Sequence, residues 1–446
     1  MLSTGQFERH IVVSVIGGAN KRSYHIIRPI EYQMRSDADN VPTLKRSFDL
    51  GNGLGTGYLV IDSDLGGGGT GGIRMGSDVN EDEVSVLAAE MSHKFAWLNI
   101  ARGGAKSGIK CATHLSDADK ESMLKDFGQG IEDVLSSQRY VAGMDLGIGP
   151  GELATIMSGA DIRISAESTT GSIDSNYYTA LTVFIAMTEL LRYSGRRVNG
   201  TRVLVEGLGK VGRHLVRLII DGGGIIVGVS TIEGALIRSD GVDAEKILSL
   251  VEKHGDECVR YYDDGPVERP AALYAAKADV LVPGARVHSI HKDNVNGLSV
   301  SFVVPMANAA ATPAAEEQMY DNGVQYLPGF VTNSGGIFCW YLARLDDTAR
   351  KIVLHEGFGR KISKLVREAD KRKMSIGSLA RQQVAMNARR MLAEERGSPL
   401  QQAIGIARKF SPRRLPYVVM SRIFGSRWAA RYSLAARWYF DGRYFV

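Results

Sequence analysis

The chain has 446 residues, 44% of them hydrophobic and 23% charged, which is globular composition with length for two or three cored domains and excludes disorder or collagen-like repeats. Glycine departs from the average at 51 residues, eleven of them between Gly51 and Gly76. The formal charge of +5 hides a split: residues 351–446 hold 21 Lys and Arg against 6 Asp and Glu, a net of +15, which leaves −10 for the remainder.

In chain order, β-branched runs such as Ile11–Ile16 and Tyr58–Ile61, separated by glycine and charge, predict strands and turns at the start of an α/β domain. Asn80 with Glu83 three residues on is a helix N-terminal signature. Val84, Leu87, Ala88, Met91, Phe95 and Leu98 then recur at helical spacing, so an amphipathic helix with a buried face is expected from about Asn80. Lys94 falls on that stripe, where its ammonium either snorkels at the edge or points into a cleft. The glycine loop Arg102–Gly108 follows. It is not a phosphate-binding loop of the GxxxxGK[ST] kind, because Ala105 and Ile100 stand where that motif needs glycine. Read from these residues alone it is either a plain surface turn or a setting that holds Lys106 on small backbone that a ligand can approach closely. A helical stretch near 116–136 precedes Asp145, an acid set between Gly143 and Gly147, and a further helix is expected over Thr179–Arg192.

The most specific local motif comes next. Thr201–Glu206 is a buried strand, Gly207-Leu208-Gly209-Lys210-Val211-Gly212 is GxGxxG, Arg213–Asp221 is helical and Ile225–Ser230 is a second strand. Strand, glycine turn, helix and parallel strand together meet the context test for a dinucleotide fold, with the pyrophosphate on the helix N-terminus. Ser230-Thr231 stand where an acid for the adenosine ribose is expected, and Glu233 comes two residues late, so both NAD and NADP remain open as cofactor. Strands are expected again at Ala278–Pro283 and Val300–Pro305. Cys111, Cys258 and Cys339 are scattered and show no ligand spacing, so neither a disulfide framework nor a metal site is expected. No apolar run reaches the roughly 18 residues of a membrane span, and a soluble, cytoplasmic protein is expected.

Seven of these segments fall in one order: Gly71-Gly72-Ile73-Arg74-Met75, Met91-Ser92-His93-Lys94, Gly103–Gly108, Gly143–Gly147, the GxGxxG unit, Ala307-Asn308 and Asn333-Ser334-Gly335-Gly336. Over roughly residues 50–345 the chain resembles the glutamate/leucine/phenylalanine/valine dehydrogenase family, whose step between its two site lysines matches that from Lys94 to Lys106. The resemblance implies an α/β protein with an N-terminal α/β substrate and oligomerisation domain (residues 1–170), a Rossmann-like NAD(P)-binding domain (171–345), a cleft between them and homo-oligomers. It leaves residues 346–446 as a helical segment with a basic aromatic tail. It implies that Lys94 binds the substrate α-carboxylate, that Lys106 is the catalytic lysine whose neutral form activates water, and that Asp145 shuttles protons to and from the amino group. Thr179, Asn308 and Asn333 resemble cofactor contacts beside Gly207, Gly209, Lys210, Val211, Gly212, Ser230 and Thr231.

Departures from the family bear on the substrate. Glutamate-specific members have a lysine where Thr70 precedes Gly71-Gly72, and a serine near the position of Trp340. A buried carboxylate without its cation costs several kcal/mol, so Thr70, Gly72 and Trp340 suit an apolar, aromatic or otherwise uncharged L-amino acid. The run Leu59–Gly66 is closer to the leucine/phenylalanine branch. The expected reaction is reversible oxidative deamination to the 2-oxo acid and ammonia. The alternative is a catalytically silent scaffold or sensor that works through its tail. That tail mixes Arg413, Arg414, Arg422, Arg427, Arg431 and Arg437 with Tyr417, Trp428, Tyr432, Trp438 and Phe440. An oligomer interface with the acidic body is preferred for it, peripheral membrane or peptide contact is the second reading, and nucleic acid is not expected.

Overall fold

The computed structural model describes residues 11–13, 24–26, 42–163, 173–263, 265–343 and 345–397. The arginine and aromatic tail beyond Ser411 lies outside them. The chain divides into two compact units, one of Met1–Ala96 with Ile100–Gly171 and one of Trp97–Asn99 with Ser172–Val446.

In the first unit, β1 (Ile11–Val13) pairs antiparallel with β2 (Tyr24–Ile26). A mixed sheet then forms from β3 (Leu44–Leu50), β4 (Gly55–Ile61), β5 (Gly69–Gly76), β6 (Gly103–Cys111) and β7 (Tyr140–Met144), in the order β3-β4-β6-β5-β7. β5 runs parallel to both β6 and β7, while β3, β4 and β6 are successively antiparallel. Because side chains alternate along a strand, Leu59, Ile61, Ile73, Ala105 and Ile109 enter one core. There they meet α2 (Asp117–Gly130), α3 (Glu132–Ser136) and α4 (Pro150–Gly159) through Met123, Phe127, Val134 and Ile156. The residues between them face α1 (Glu81–Trp97), where Val60, Val79, Val84 and Ala88 form a smaller cluster. The expected helix start is present, with the Glu83 amide donating to Asn80 Oδ1 at 2.9 Å.

The stretch around Lys106 is not a loop but strand β6, in the middle of the sheet. Its glycines answer to packing. A Cβ on Gly104 would lie 2.1 Å from the Ser92 nitrogen and 2.4 Å from the Ala88 oxygen, so α1 crosses β6 at backbone contact distance. A Cβ on Gly103 would lie 1.7 Å from the Ser63 oxygen. The turn before β5 does need glycine for its conformation: Gly66 and Gly67 have φ of 69° and 83°, which L side chains rarely adopt.

The second unit is built on a six-stranded sheet in the order β10-β9-β8-β11-β12-β13. Its strands are β8 (Arg202–Glu206), β9 (Ile225–Thr231), β10 (Gly234–Ile237), β11 (Val280–Val282), β12 (Phe302–Val303) and β13 (Gln325–Tyr326), all parallel except β10. α5 (Ser175–Tyr193) packs beside α6 (Lys210–Asp221), the crossover helix from β8 to β9. The helices beyond residue 346, which the sequence set apart as a separate segment, fold into this unit. Ser363, on the helix Gly359–Arg372, accepts from Arg192 of α5 at 2.8 Å, and Tyr193 donates to Asp370 at 3.0 Å. Among the described residues no helix is long and apolar enough to cross a membrane.

Candidate active site

In the first unit, strand parity and the α1 crossing gather charge at one place. Lys106 is even-numbered on β6 and so faces α1. It is 4% exposed, and its Nζ lies 2.5 Å from Asp145 Oδ2, just past the end of β7. Arg74, even-numbered on β5, is on the same face. Its Nε donates to the same Asp145 oxygen at 3.1 Å and its Nη1 to Glu83 at 2.5 Å, so it ties the acid to the first turn of α1. Gly72 lies between Arg74 and Thr70 on that face. A Cβ there would come 2.9 Å from the Cβ of Asp145, which leaves room only for hydrogen at this position.

Lys94 is 6% exposed on α1 and feels both Lys106 and Asp145. Burial brings its pKa down to about 8, with Lys106 adding to the fall while Glu90 and Asp145 oppose it. A lysine at this value is a cation near neutrality that gives up its proton within the ordinary working range. Burial would raise the Asp145 pKa, but Lys106 and Arg74 outweigh it and hold the carboxyl well below the usual range, so it is ionised at any physiological pH. Behind the strand the Tyr140 hydroxyl donates to the Gly71 oxygen at 3.0 Å and meets Ser107 Oγ at 2.9 Å, bracing β5 against β6 beneath Lys106.

Sequence reasoning singled out Lys94, Lys106 and Asp145 and missed Arg74, Glu83 and Glu90. A signal existed for Arg74, which shares strand parity with Thr70 and Gly72. Thr70 itself carries no charge, but its hydroxyl accepts from Arg102 Nε at 2.9 Å. Across the β5–β7 pairing Thr70 stands beside Val141, an apolar side chain 44% exposed.

The second unit presents a dinucleotide cradle. Gly207 has φ of 88°, and its amide donates to the Ser230 oxygen at 2.8 Å. A Cβ on Gly212 would lie 2.0 Å from the Gly207 oxygen, whereas one on Gly209 meets nothing within 4 Å. Gly212 is therefore needed for the helix to seat on the strand, and Gly209 leaves open space at the start of α6, where Lys210 is exposed and Val211 partly so. Glu206, at the end of β8, accepts from the amides of Gly284 and Ala285 at 3.0 and 3.1 Å and fixes the turn after β11 beside the glycines. Asn333 Nδ2 donates to Asn308 Oδ1 and to the Met306 oxygen, each at 3.1 Å, while its buried Oδ1 has no hydrogen-bond partner among the described residues. An unpaired buried amide oxygen beside a glycine cradle fits a carboxamide-bearing dinucleotide. Trp340 is 52% exposed on the helix Gly335–Tyr341, and the Thr179 hydroxyl donates to the Ser175 oxygen at 2.8 Å. Ser230 and Thr231 differ from expectation. They are 1% and 6% exposed, and Thr231 Oγ1 is engaged inside the fold with the Asp256 oxygen and the Glu233 amide. The more accessible polar group there is instead Glu233, half-buried and paired with Arg260 at 2.5 Å.

A parallel dinucleotide fold joined in one chain to a lysine–aspartate–arginine cluster built around the buried Lys106 defines a nicotinamide-dependent oxidoreductase. Comparison with known proteins gives the particular kind. Residues 45–161 match the Glu/Leu/Phe/Val dehydrogenase dimerisation domain and residues 170–395 match Glutamate/Leucine/Phenylalanine/Valine dehydrogenase, and the chain belongs to this family. It is an amino-acid dehydrogenase that acts on CH–NH2 donors with NAD or NADP. It is 29% identical to NAD-specific glutamate dehydrogenase A of Halobacterium salinarum over 308 residues, 66% of this chain and 70% of that one. Among solved structures it is similar in fold to a hetero-hexameric glutamate dehydrogenase from Thermus thermophilus in a leucine-bound form, with a TM-score of 0.65 and 23% identity over 76% of this chain and 83% of the other. L-tryptophan dehydrogenase from Nostoc punctiforme shares the fold at a TM-score of 0.52 and 20% identity over 76% and 92% of the two chains.

Proposed function

We propose that this protein, as a homo-oligomer, catalyses reversible oxidative deamination of an L-amino acid with an uncharged side chain, on the leucine/phenylalanine side of the family. The observation that carries the chemistry is the 2.5 Å contact of Lys106 with Asp145, with Lys94 beside them. Lys94 pairs with the substrate α-carboxylate. Asp145 takes the proton that the amino group must lose before hydride can leave Cα, and returns it to the departing ammonia. The incoming α-carboxylate adds negative charge to the cluster and so raises the proton affinity of Asp145 at the moment it is needed. Lys106, in its neutral form, takes the proton of the water that adds to the imine carbon. A bound NAD or NADP supplies the hydride acceptor, and Gly207, Gly209, Lys210, Val211, Gly212, Thr179, Asn308 and Asn333 are the residues to hold it.

An uncharged substrate side chain is supported by Thr70. Four donated contacts of its Arg102 neighbour go to Thr70 and to the carbonyls of Gly66, Gly69 and Gln138, which supports reading this guanidinium as a group that positions the turn and Thr70 rather than as a replacement for a carboxylate-binding lysine. The test follows nicotinamide absorbance across a panel of L-amino acids, and of 2-oxo acids with ammonia. Leucine, phenylalanine or tryptophan types are expected to exceed glutamate. A folded preparation that turns over no member removes the reading, and glutamate as the best substrate removes its finer half.

A further inference from the structure

We infer that Thr70, oriented by Arg102, is a specificity residue that selects uncharged side chains carrying a hydrogen-bond acceptor, such as an ether, amide or hydroxyl oxygen, over hydrocarbon of the same shape. The inference rests on the dehydrogenase reading above and names its substrate class more narrowly.

Thr70 occupies the second position of β5 and faces the same side as Gly72 and Arg74. Gly72 marks the reacting end, because Asp145 closes over it. Two residues along a strand separate Thr70 from it by about 7 Å. A substrate side chain of about four heavy atoms spans that gap. Val141, paired with Thr70 on β7, offers an apolar flank for the methylene stem, and Gly143, paired with Gly72, adds no bulk, since a Cβ there meets nothing within 4 Å. This face of the sheet therefore runs from Gly72 and Gly143, which carry no side chain, to one hydroxyl.

Arg102 sets the polarity of that hydroxyl. Its Nε donates to Thr70 Oγ1 at 2.9 Å, while Nη1 and Nη2 reach the oxygens of Gly66, Gly69 and Gln138 at 3.3 to 3.4 Å. Those three carbonyls lie on the turn before β5, on its first residue and on the loop before β7, so the guanidinium is anchored on three sides. A hydroxyl that accepts from a cation is polarised: its proton becomes a better donor and its remaining lone pair a poorer acceptor. Among the described residues that proton has no acceptor. A side chain that brings an oxygen satisfies it, whereas one that brings only methylenes displaces water from it without replacement.

The test compares kcat/KM for L-norleucine with that for O-ethyl-L-serine and O-methyl-L-homoserine, which put an ether oxygen in place of one methylene. These are measured on the wild-type full chain and on Thr70→Val, Thr70→Ser and Arg102→Met. Taking the ether-to-norleucine ratio within each variant cancels the greater hydration of the ethers. The better ether's ratio is expected to fall about 10-fold in Thr70→Val, to stay within about 2-fold in Thr70→Ser and to fall about 3-fold in Arg102→Met. If Thr70→Val lowers both substrates alike, Thr70 is structural and the inference is overturned while the dehydrogenase stands. L-glutamate turned over faster than either ether overturns the uncharged-acceptor class. A folded enzyme that binds NADH or NADPH and turns over no amino acid overturns the activity and, with it, this inference.

Discussion

Lys106 and Asp145, the one on a central strand and the other beyond the edge strand, meet at 2.5 Å, with the lysine side chain 5% exposed and the aspartate 25% exposed. The partners are not equivalent. Asp145 keeps Arg74 if Lys106 is lost, whereas Lys106 loses the acid that compensates a nearly buried ammonium if Asp145 is neutralised.

Asp145→Asn is therefore expected to lower folding stability more than Lys106→Met, by on the order of 3 kcal/mol, since it strands a charge. Both variants should lower kcat by about 10²- to 10⁴-fold, and the double variant by less than the product. Denaturant unfolding and steady-state rates read this out. Equal stability losses would mean that Lys106 finds another acceptor.

Lys94 gives a pH dependence with a definite sign. Its pKa is brought to about 8 by burial, against opposition from Glu90. The ammonium is present below that pH and lost above it, so Ki for an unreactive carboxylate competitive with the 2-oxo acid should rise about tenfold per pH unit above 8. The same shift makes the folded state gain stability as pH rises from about 8 towards the ordinary 10.5, because over that window the unfolded chain still binds a proton that the site has released. A Ki that stays flat to pH 9.5 would remove Lys94 from carboxylate binding.

Arg74 lowers the proton affinity of Asp145 and clamps it to Glu83. Arg74→Gln takes away one of the two cations in contact with the acid, so the Asp145 pKa goes up. The acid limb of the kcat profile should move to higher pH. Glu83→Gln should leave that limb nearly in place, because Arg74 stays beside Asp145. If both variants shift the limb equally, the clamp matters more than the charge.

Helix Glu81–Trp97 and the β8 to β9 crossover were legible because each repeats one simple rule, helical apolar spacing in the first and a glycine turn between buried strands in the second. Lys94, Lys106 and Asp145 became legible only through spacing and order along the chain, since each alone is an ordinary polar residue. Arg74 was not read, because its role depends on which face of β5 it shares with Thr70 and on an acid brought up from β7. Gly103-Gly104 looked like a loop because glycine usually marks one. Here the glycines belong to a strand: α1 crosses it so closely that a Cβ on Gly104 would strike Ser92, and a Cβ on Gly103 would strike Ser63, just past β4. Ser230 and Thr231 suited a ribose in composition, but the fold turns their side chains inward.

Gly209 and Gly212 should separate ligand approach from packing within one motif. Gly209 has φ of −68°, which alanine adopts freely, and its Cβ would enter open space at the N-terminus of α6. Gly209→Ala should keep the thermal stability of the wild type while raising KM for NAD(P) about 10-fold or more, because the added methyl stands where a pyrophosphate must meet the backbone amides. Gly212→Ala puts a methyl 2.0 Å from the Gly207 oxygen, so the helix must move off the strand. Its thermal midpoint should fall by several degrees and cofactor binding should fail with it. Melting with and without NADH or NADPH distinguishes the two: Gly209→Ala loses only the ligand-induced rise, while Gly212→Ala already melts early without ligand. A Gly209→Ala protein that binds cofactor as tightly as wild type would place the pyrophosphate elsewhere.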